Sequence, residues 1–297
     1  MAFVKAERHS LKDRLLGKVS DYAALTKFRL SSLVLFSAVI GYLLGAPVVE
    51  FVPLLALCIG GFLVTGASNT INQIIERDID KLMDRTKDRP LPTGRVTILE
   101  ASLAAGIMAV AGIFLIASFN VTAGLLSAIS LMSYAFIYTP LKRINPIAVF
   151  IGAIPGALPT AIGYVFASGG IDNLAILLFA IQFFWQFPHF WAIAWVAYED
   201  YLKAGIMLLP SPSGKTKASA AHTMVFTAML IPVGILLYDF GLVGLWGTVV
   251  ITIAGLAFLG QSIALWNKPS DKRARALMFG SFAYLPIVLL AMVFDKI

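Results

Sequence analysis

Charge is what this chain has least of. Asp, Glu, Lys and Arg make up 13% of its 297 residues against 59% hydrophobic residues, and the mean hydropathy is +0.86. A soluble protein of this length needs a charged surface, and this composition cannot supply one. Cysteine is almost missing: Cys58 stands alone, which excludes an internal disulfide and a thiolate metal cluster. No linker rich in Pro, Ser or Gly and no low-complexity tract divides the chain, so residues 1–297 read as one domain. The arm 1–29 lacks a small-residue cleavage site and carries Glu7, Asp13 and Asp21, so it does not read as a signal or transit peptide. It reads instead as a cytoplasmic arm whose residues Met1–Lys27 form an amphipathic helix on the membrane surface.

The chain does have long uncharged runs: Leu30–Val49, Phe51–Ile75, Ala101–Leu141, Ile144–Ile171, Asn173–Tyr198, Ala218–Tyr238, Phe240–Asn267 and Ala276–Phe294. A helical bilayer crossing takes roughly 20 mostly apolar residues. The 41-residue run Ala101–Leu141 holds two crossings, hinged near Ser118, Asn120 and Gly124. The pattern predicts an all-α polytopic protein with nine transmembrane helices in one bundle. Disorder and an outer-membrane barrel are excluded.

A net charge of +7 could suggest nucleic acid, but the charges are placed for a lipid bilayer. Of 23 basic residues, 22 lie in the arm or on the loops after even-numbered spans, and only Lys296 lies on the other face. The positive-inside rule therefore puts the N-terminus in the cytoplasm and, nine being odd, the C-terminus outside. The two long cytoplasmic loops, 77–97 and 199–217, hold most of the polar residues, so chemistry is expected on that side.

The densest chemistry runs from Asn69 through Asn72, Glu76, Asp78, Asp80 and Asp84 to Arg85, Lys87 and Arg89. At about 100° per residue, Asn69, Asn72, Glu76 and Asp80 fall at about 60°, 0°, 40° and 80°. Four oxygen-bearing side chains thus share one stripe at the end of span two, while Asp78 points away. Asp84 would join the stripe if the helix continued. Carboxylates at a helix C-terminus oppose its dipole. A solvated helix exit would not align amides and acids over three turns, and polar groups inside a membrane mark function. Oxygen-only ligands specify Mg²⁺ or Ca²⁺, and Mg²⁺ completes its shell with water and substrate phosphates. Arg85, Lys87 and Arg89 supply partners for such phosphates.

Other segments are weaker. Glu199 and Asp200 end span six, where an acid pair could hold a second ion or be a solvated loop. Ser213-Gly-Lys-Thr216 resembles half a phosphate loop, but no strand precedes it, so nucleotide binding is rejected. Tyr138-Thr-Pro-Leu-Lys142-Arg143 ends span four as a set of cationic clamps or an ordinary membrane anchor. In span six, Trp185 and His189 flank Pro188, expected to break the helix and open space for a flat aromatic substrate. Tyr134, Tyr138, Phe183 and Trp185 could line a cavity that stabilises a carbocation.

The run Asn72-x3-Glu76-x-Asp78-x-Asp80 with Arg85-Thr-x2-Arg89-Pro90 resembles the first signature of the intramembrane aromatic prenyltransferases, the UbiA-like superfamily. Within it, Tyr138-Thr-x2-Leu-Lys142-Arg143, Pro188-His-Phe-Trp191 and Asp200-Tyr-x2-Ala-Gly205-x3-Leu-Pro210 resemble the protoheme IX farnesyltransferases, or haem O synthases. The resemblance implies a nine-helix bundle around a central cavity open to the cytoplasm. It implies that Asn72, Glu76, Asp80 and Asp200 hold Mg²⁺, and that Arg85, Arg89 and Lys142 bind prenyl diphosphate. Lys87, Tyr138, Arg143, Trp185 and His189 complete the expected substrate site. Two positions depart from the superfamily pattern: Glu76 stands where Asp is usual, and Ala204 where the second motif has its second Asp.

The expected reaction is transfer of farnesyl from farnesyl diphosphate to a vinyl group of protoheme IX, with water addition. Haem is here a substrate. The expected setting is a bacterial cytoplasmic membrane, with a haem A synthase or terminal oxidase assembly as partner and no nucleic acid. A quinone-precursor prenyltransferase would keep the first motif without needing Pro188-His-Phe-Trp191. A transporter would share the topology without needing acids and an Arg-x3-Arg run at one face.

Overall fold

The computed structural model describes residues 11–297; the first ten residues of the arm expected to lie on the membrane fall outside it. Helix α1 (Leu11–Leu25) is followed by α2 (Phe28–Gly45), α3 (Phe51–Asp80), α4 (Ile98–Ala117) and α5 (Val121–Met132). A π-helical turn at Ser133–Tyr138 carries α5 into the short α6 (Thr139–Leu141). Then come α7 (Ala148–Ser168), α8 (Asn173–Val196), α9 (Tyr198–Lys203), α10 (Lys217–Ala228), α11 (Leu230–Asp239), α12 (Leu245–Asn267) and α13 (Asp271–Phe294). Among the described residues nine helical spans are long and apolar enough to cross a membrane, with α5–α6 and α10–α11 each counting as one. Together they make a polytopic membrane protein.

Local sequence sets the boundaries. The hinge expected in Ala101–Leu141 is real: α4 stops at Ala117, and Asn120 Oδ1 accepts from Ala123 N at 2.9 Å to start α5. Thr97, Asp172 and Thr216 cap α4, α8 and α10 through their own side-chain oxygens, which satisfies amides a new helix leaves bare. Helix α3 has 30 residues, or about 45 Å at 1.5 Å per residue, against roughly 30 Å of hydrocarbon. Its last turns therefore stand at the water interface, where the acids are.

The interior helix is α7, buried round most of its circumference, whereas α4 turns most of its surface outward. Helix α7 packs against α2, α5 and α8, and α13 closes the ring against α8, α12 and α2. At the end opposite the acids, Lys296 Nζ donates to the Leu43 and Ala46 carbonyls at 2.9 Å each. Asp295 Oδ2 there accepts from Gly247 N at 2.6 Å. Helix α1 is tied instead to the segment between α3 and α4, through Arg95–Asp21 at 2.8 Å and Lys18–Glu100 at 2.8 Å. Its Leu15, Leu16 and Val19 remain exposed.

Helices α2 and α7 meet backbone to backbone. A Cβ on Gly163 would lie 1.8 Å from the Ala38 carbonyl oxygen, and one on Gly41 would lie 2.0 Å from that of Thr160. Inside lipid such close van der Waals approach, not hydrophobicity, is what joins helices. Gly163→Val should therefore lower the thermal unfolding transition of the purified protein in detergent, at a cost of about 1–3 kcal/mol or more. Gly106→Ala, which meets nothing within 4 Å, should not.

Candidate active site

The stripe forms as the helical period requires. Asn69, Asn72, Glu76 and Asp80 are all buried, while Asp78 is exposed and paired with Arg77 and Lys81. The helix stops at Asp80, so Asp84 does not extend the stripe. It is exposed, and Lys203 and then Lys87 hold its carboxyl down at about 2. Two carboxylates without solvent need countercharge, since an unpaired buried charge costs several kcal/mol. Lys142 pairs with Glu76, and Arg89 Nη1 donates to Asp80 Oδ2 at 2.7 Å.

The amides of the stripe divide the work. Asn69 Nδ2 donates to the Thr26 carbonyl at 3.4 Å and Ser31 Oγ at 3.2 Å. Gln73 Nε2 donates to the Ala24 and Leu25 carbonyls at 3.1 and 2.7 Å. These bonds brace the break between α1 and α2, where Lys27 is left-handed at φ 47°, a conformation that costs about 1–3 kcal/mol and persists only when its surroundings fix it. The brace points Lys27 Nζ at Asn72 Oδ1, 3.3 Å away. Burial lowers the Lys27 ammonium to about 7, with Arg89 and Lys142 adding repulsion against the pull of Glu76 and Asp80. Sequence reading placed Lys27 in the surface arm and missed it, because its approach depends on tertiary bonds from α3.

The end of the fourth span supplies the opposite wall. The π-helical turn, a form common at functional sites, brings Thr139 over the Tyr134 carbonyl, which accepts from both the Thr139 backbone amide and Thr139 Oγ1, the latter at 2.8 Å. Having spent its proton, Thr139 Oγ1 accepts from Asn72 Nδ2 at 3.1 Å. That bond fixes the amide so that Oδ1 faces Lys27 and the acids. Tyr134 and Tyr138 rings lie 5.5 Å apart, and Tyr138 fits only because Gly152 of α7 has no side chain. Lys142 Nζ lies 5.6 Å from the Tyr138 ring centre.

The second acidic loop meets the first through its outer residues. Asp200 Oδ1 accepts from Asp84 N at 3.3 Å, and Lys203 Nζ bridges Asp84 at 2.7 Å and Asp200 at 3.1 Å. Burial pushes the Asp200 carboxyl up, but Lys203 and the Asp84 and Arg85 amides outweigh it and lower it. Arg85 lies 4.4 Å over the Tyr201 ring. Lys87 is exposed and paired with Asp84 at 2.9 Å. Arg143 is exposed on the wall of a cleft of about 420 Å³ lined also by Ile75, Glu76, Ile79, Thr139 and Gly205. The structure thus joins Asn72, Glu76, Asp80, Arg89 and Lys142 in one cluster, with Lys27 added. Asp200, Arg85 and Lys87 gather in an adjoining clasp around Asp84.

In α8 the expected break does not occur: the helix runs unbroken from Asn173 to Val196 with Pro188 inside it. Proline loses one backbone bond, and packing against α7, α10 and α13 holds the helix through that loss. Trp185 and His189, one turn apart, stack with ring centres 4.3 Å apart at 20°. Both turn toward α13, where Trp185 Nε1 donates to the Ser281 carbonyl at 3.0 Å. Phe183 packs with Phe187 away from them.

The donor set fits a divalent cation. Asp80 Oδ1 is buried without a hydrogen-bond partner, and a buried carboxylate oxygen in that condition calls for a ligand. Among the described residues no three of His, Cys, Asp and Glu converge as a cage. That matches a hard cation held by two carboxylates and substrate phosphates rather than by protein alone.

The fold and site are those of a polytopic membrane bundle with a buried acid stripe faced by cations. The chain belongs to the UbiA prenyltransferase family, which matches residues 34–285. It is 50% identical over 285 residues to the protoheme IX farnesyltransferase of Cytophaga hutchinsonii, covering 95% of this chain and 100% of that one. It is 42% identical to the enzyme of the same name from Christiangramia forsetii, covering 94% of each. The fold matches a solved digeranylgeranylglyceryl phosphate synthase, with a TM-score of 0.78 and 22% identity over 94% of this chain and 98% of that one. It also matches a UbiA homolog from Archaeoglobus fulgidus bound to GPP and Mg²⁺, with a TM-score of 0.66 and 17% identity over 92% of this chain and 99% of that one.

Asp80→Asn should lower prenyl transfer roughly a hundredfold or more, because charge placed at a transition state is worth that much. Asp78→Asn should leave most of the activity, since Asp78 is exposed on the other side of α3. Steady-state rates of both purified variants check this, and equal damage from both contradicts the stripe.

Proposed function

We propose that this protein is a protoheme IX farnesyltransferase: it joins the farnesyl group of farnesyl diphosphate to a vinyl group of protoheme IX, with water addition, giving haem O and diphosphate. The observation that carries the reading is the buried Asn72–Glu76–Asp80 stripe faced by Lys27, Arg89 and Lys142, in a chain similar along nearly its whole length to enzymes of that name.

Asn72, Glu76 and Asp80 would hold Mg²⁺, with Asp200 closing the site from the second loop, and the bound ion would supply countercharge to the diphosphate oxygens. Lys142 and Arg89 give the phosphate oxygens charge-assisted donors in a site with little water, where such bonds are strongest. Arg85 and Lys87 extend the basic surface outward. The C–O bonding pair leaves with the diphosphate, and the farnesyl cation remains among apolar walls and the Tyr134 and Tyr138 rings. The terminal vinyl carbon of haem forms the new C–C bond. Water then adds to the vinyl α-carbon and loses a proton, leaving a hydroxyl.

The porphyrin occupies the Trp185–His189 region, with Arg143 available to a propionate. Both substrates share a central cavity open at the cytoplasmic end. The basic loops orient the protein with its N-terminus in the cytoplasm of a bacterial inner membrane and its C-terminus outside. The product serves a haem A synthase or terminal oxidase assembly.

Purified protein incubated with farnesyl diphosphate, protoheme IX and Mg²⁺ should yield a haem whose mass equals protoheme plus a farnesyl group and a hydroxyl. Isotopically heavy oxygen supplied in the water should appear in that product. Farnesylation of a quinone precursor with haem unchanged would overturn the assignment.

A further inference from the structure

His189 is held by more than packing. Its Nδ1 lies 2.9 Å from Ser281 Oγ, on a helix 92 residues further along the chain. Ser281 is fully buried, and its hydroxyl donates to the Met278 carbonyl at 2.6 Å. A serine hydroxyl has one proton. The Met278 carbonyl can only accept and holds the shorter bond, so the hydroxyl proton goes to it and leaves Ser281 Oγ to accept from His189 Nδ1, an assignment made from the hydrogen-bond pattern. The tautomer follows: Nδ1 carries hydrogen and Nε2 carries the lone pair. Among the described residues no hydrogen bond reaches Nε2.

The surroundings fix the ring as well as its proton. Trp185 covers one face, and its own indole N–H is anchored on the Ser281 carbonyl. Phe190 and Phe282 approach at steep angles, with ring centres 5.4 and 5.3 Å from that of the imidazole. Phe282 is 46% exposed, which leaves an apolar surface beside the histidine. An imidazole whose Nδ1–H is tied to an oxygen, with Nε2 bare and an apolar wall alongside, is built as a metal ligand. His189 also lies seven residues before the C-terminal end of α8, about 10 Å along the axis, a depth that suits a planar substrate beneath the diphosphate site.

We infer that His189 Nε2 binds the iron of the acceptor haem as an axial ligand, and that Ser281 is the positioning residue that sets its tautomer. The inference rests on the reading of haem as acceptor. Nε2 supplies the electron pair of the iron–nitrogen bond, no proton is released, and no electron is transferred. Coordination fixes the height and tilt of the porphyrin, and hence which vinyl edge meets the allylic carbon. The tryptophan sets the ring plane, and the serine sets which nitrogen is basic.

The test uses the full chain in detergent or nanodiscs, titrated with ferric protoheme IX and, in parallel, with metal-free protoporphyrin IX. Wild type should bind both, with a histidine-ligated absorption and electron paramagnetic resonance signature for the haem. His189→Ala should lose that signature and weaken haem binding roughly ten- to a hundredfold, while metal-free protoporphyrin binds almost as before. Added imidazole should restore the signature. Ser281→Ala should weaken haem binding by a smaller factor with an altered spectrum, and Ser281→Thr should recover it. Farnesyl diphosphate affinity, measured on the same samples, reports whether each variant is folded. A His189→Ala protein with the wild-type haem spectrum overturns axial ligation. Equal loss of both porphyrins does so too, because it gives His189 a packing role only. If wild type forms haem O and still shows no histidine-ligated spectrum, the coordination is wrong and the enzymatic reading stands. If wild type neither binds haem nor forms haem O, both fall.

Discussion

Two carboxylates buried at the wrong end of a helix set the terms for one end of this bundle. Glu76 and Asp80 sit in the last turns of α3, where the helix dipole is negative, and almost no water reaches them. Without countercharge, burying them would cost several kcal/mol each. The fold answers with cations from three separate places: Lys142 from the end of the fourth span, Arg89 from the loop, and Lys27 from the break before the first span. Replacing the acids with apolar residues would cost no such assembly. In the proposed reaction, a substrate that brings phosphates and a metal would give the arrangement its purpose.

The remaining polar structure keeps those charges in register. Asn69 and Gln73 give up their amides to brace the turn that aims Lys27. Thr139 gives its hydroxyl proton to the Tyr134 carbonyl in the π-helical turn and so accepts from Asn72. The Asp84–Lys203–Asp200 clasp ties the two acidic loops together. Elsewhere in the bundle, α2 and α7 meet backbone to backbone at Gly41 and Gly163. The aromatic group around Trp185 and His189 belongs to α8 and α13 instead, apart from the helix that carries the acid stripe.

Much of this was legible in the sequence. Uncharged runs gave nine spans because the bilayer sets their length, and the period of α3 separated buried Asp80 from exposed Asp78 because both lie on one regular helix. Legibility ended where tertiary contact decides. Lys27 looks like any arm lysine until α3 braces its turn, and Ser281 carries no signal that connects it to a histidine 92 residues earlier. Pro188 was expected to break α8, yet neighbouring helices hold it straight. The acid at Asp84 could be placed only once the end of α3 was known.

The central claim is that Lys142 and Arg89 hold the acids in trust for a metal-bound diphosphate. An experimental structure with Mg²⁺ and a non-hydrolysable farnesyl thiodiphosphate tests it directly. The ammonium of Lys142 and the guanidinium of Arg89 should contact phosphate oxygens, with Mg²⁺ between those oxygens and Glu76, Asp80 and Asn72. A diphosphate bound elsewhere, with the Lys142–Glu76 and Arg89–Asp80 pairs intact, would contradict the account.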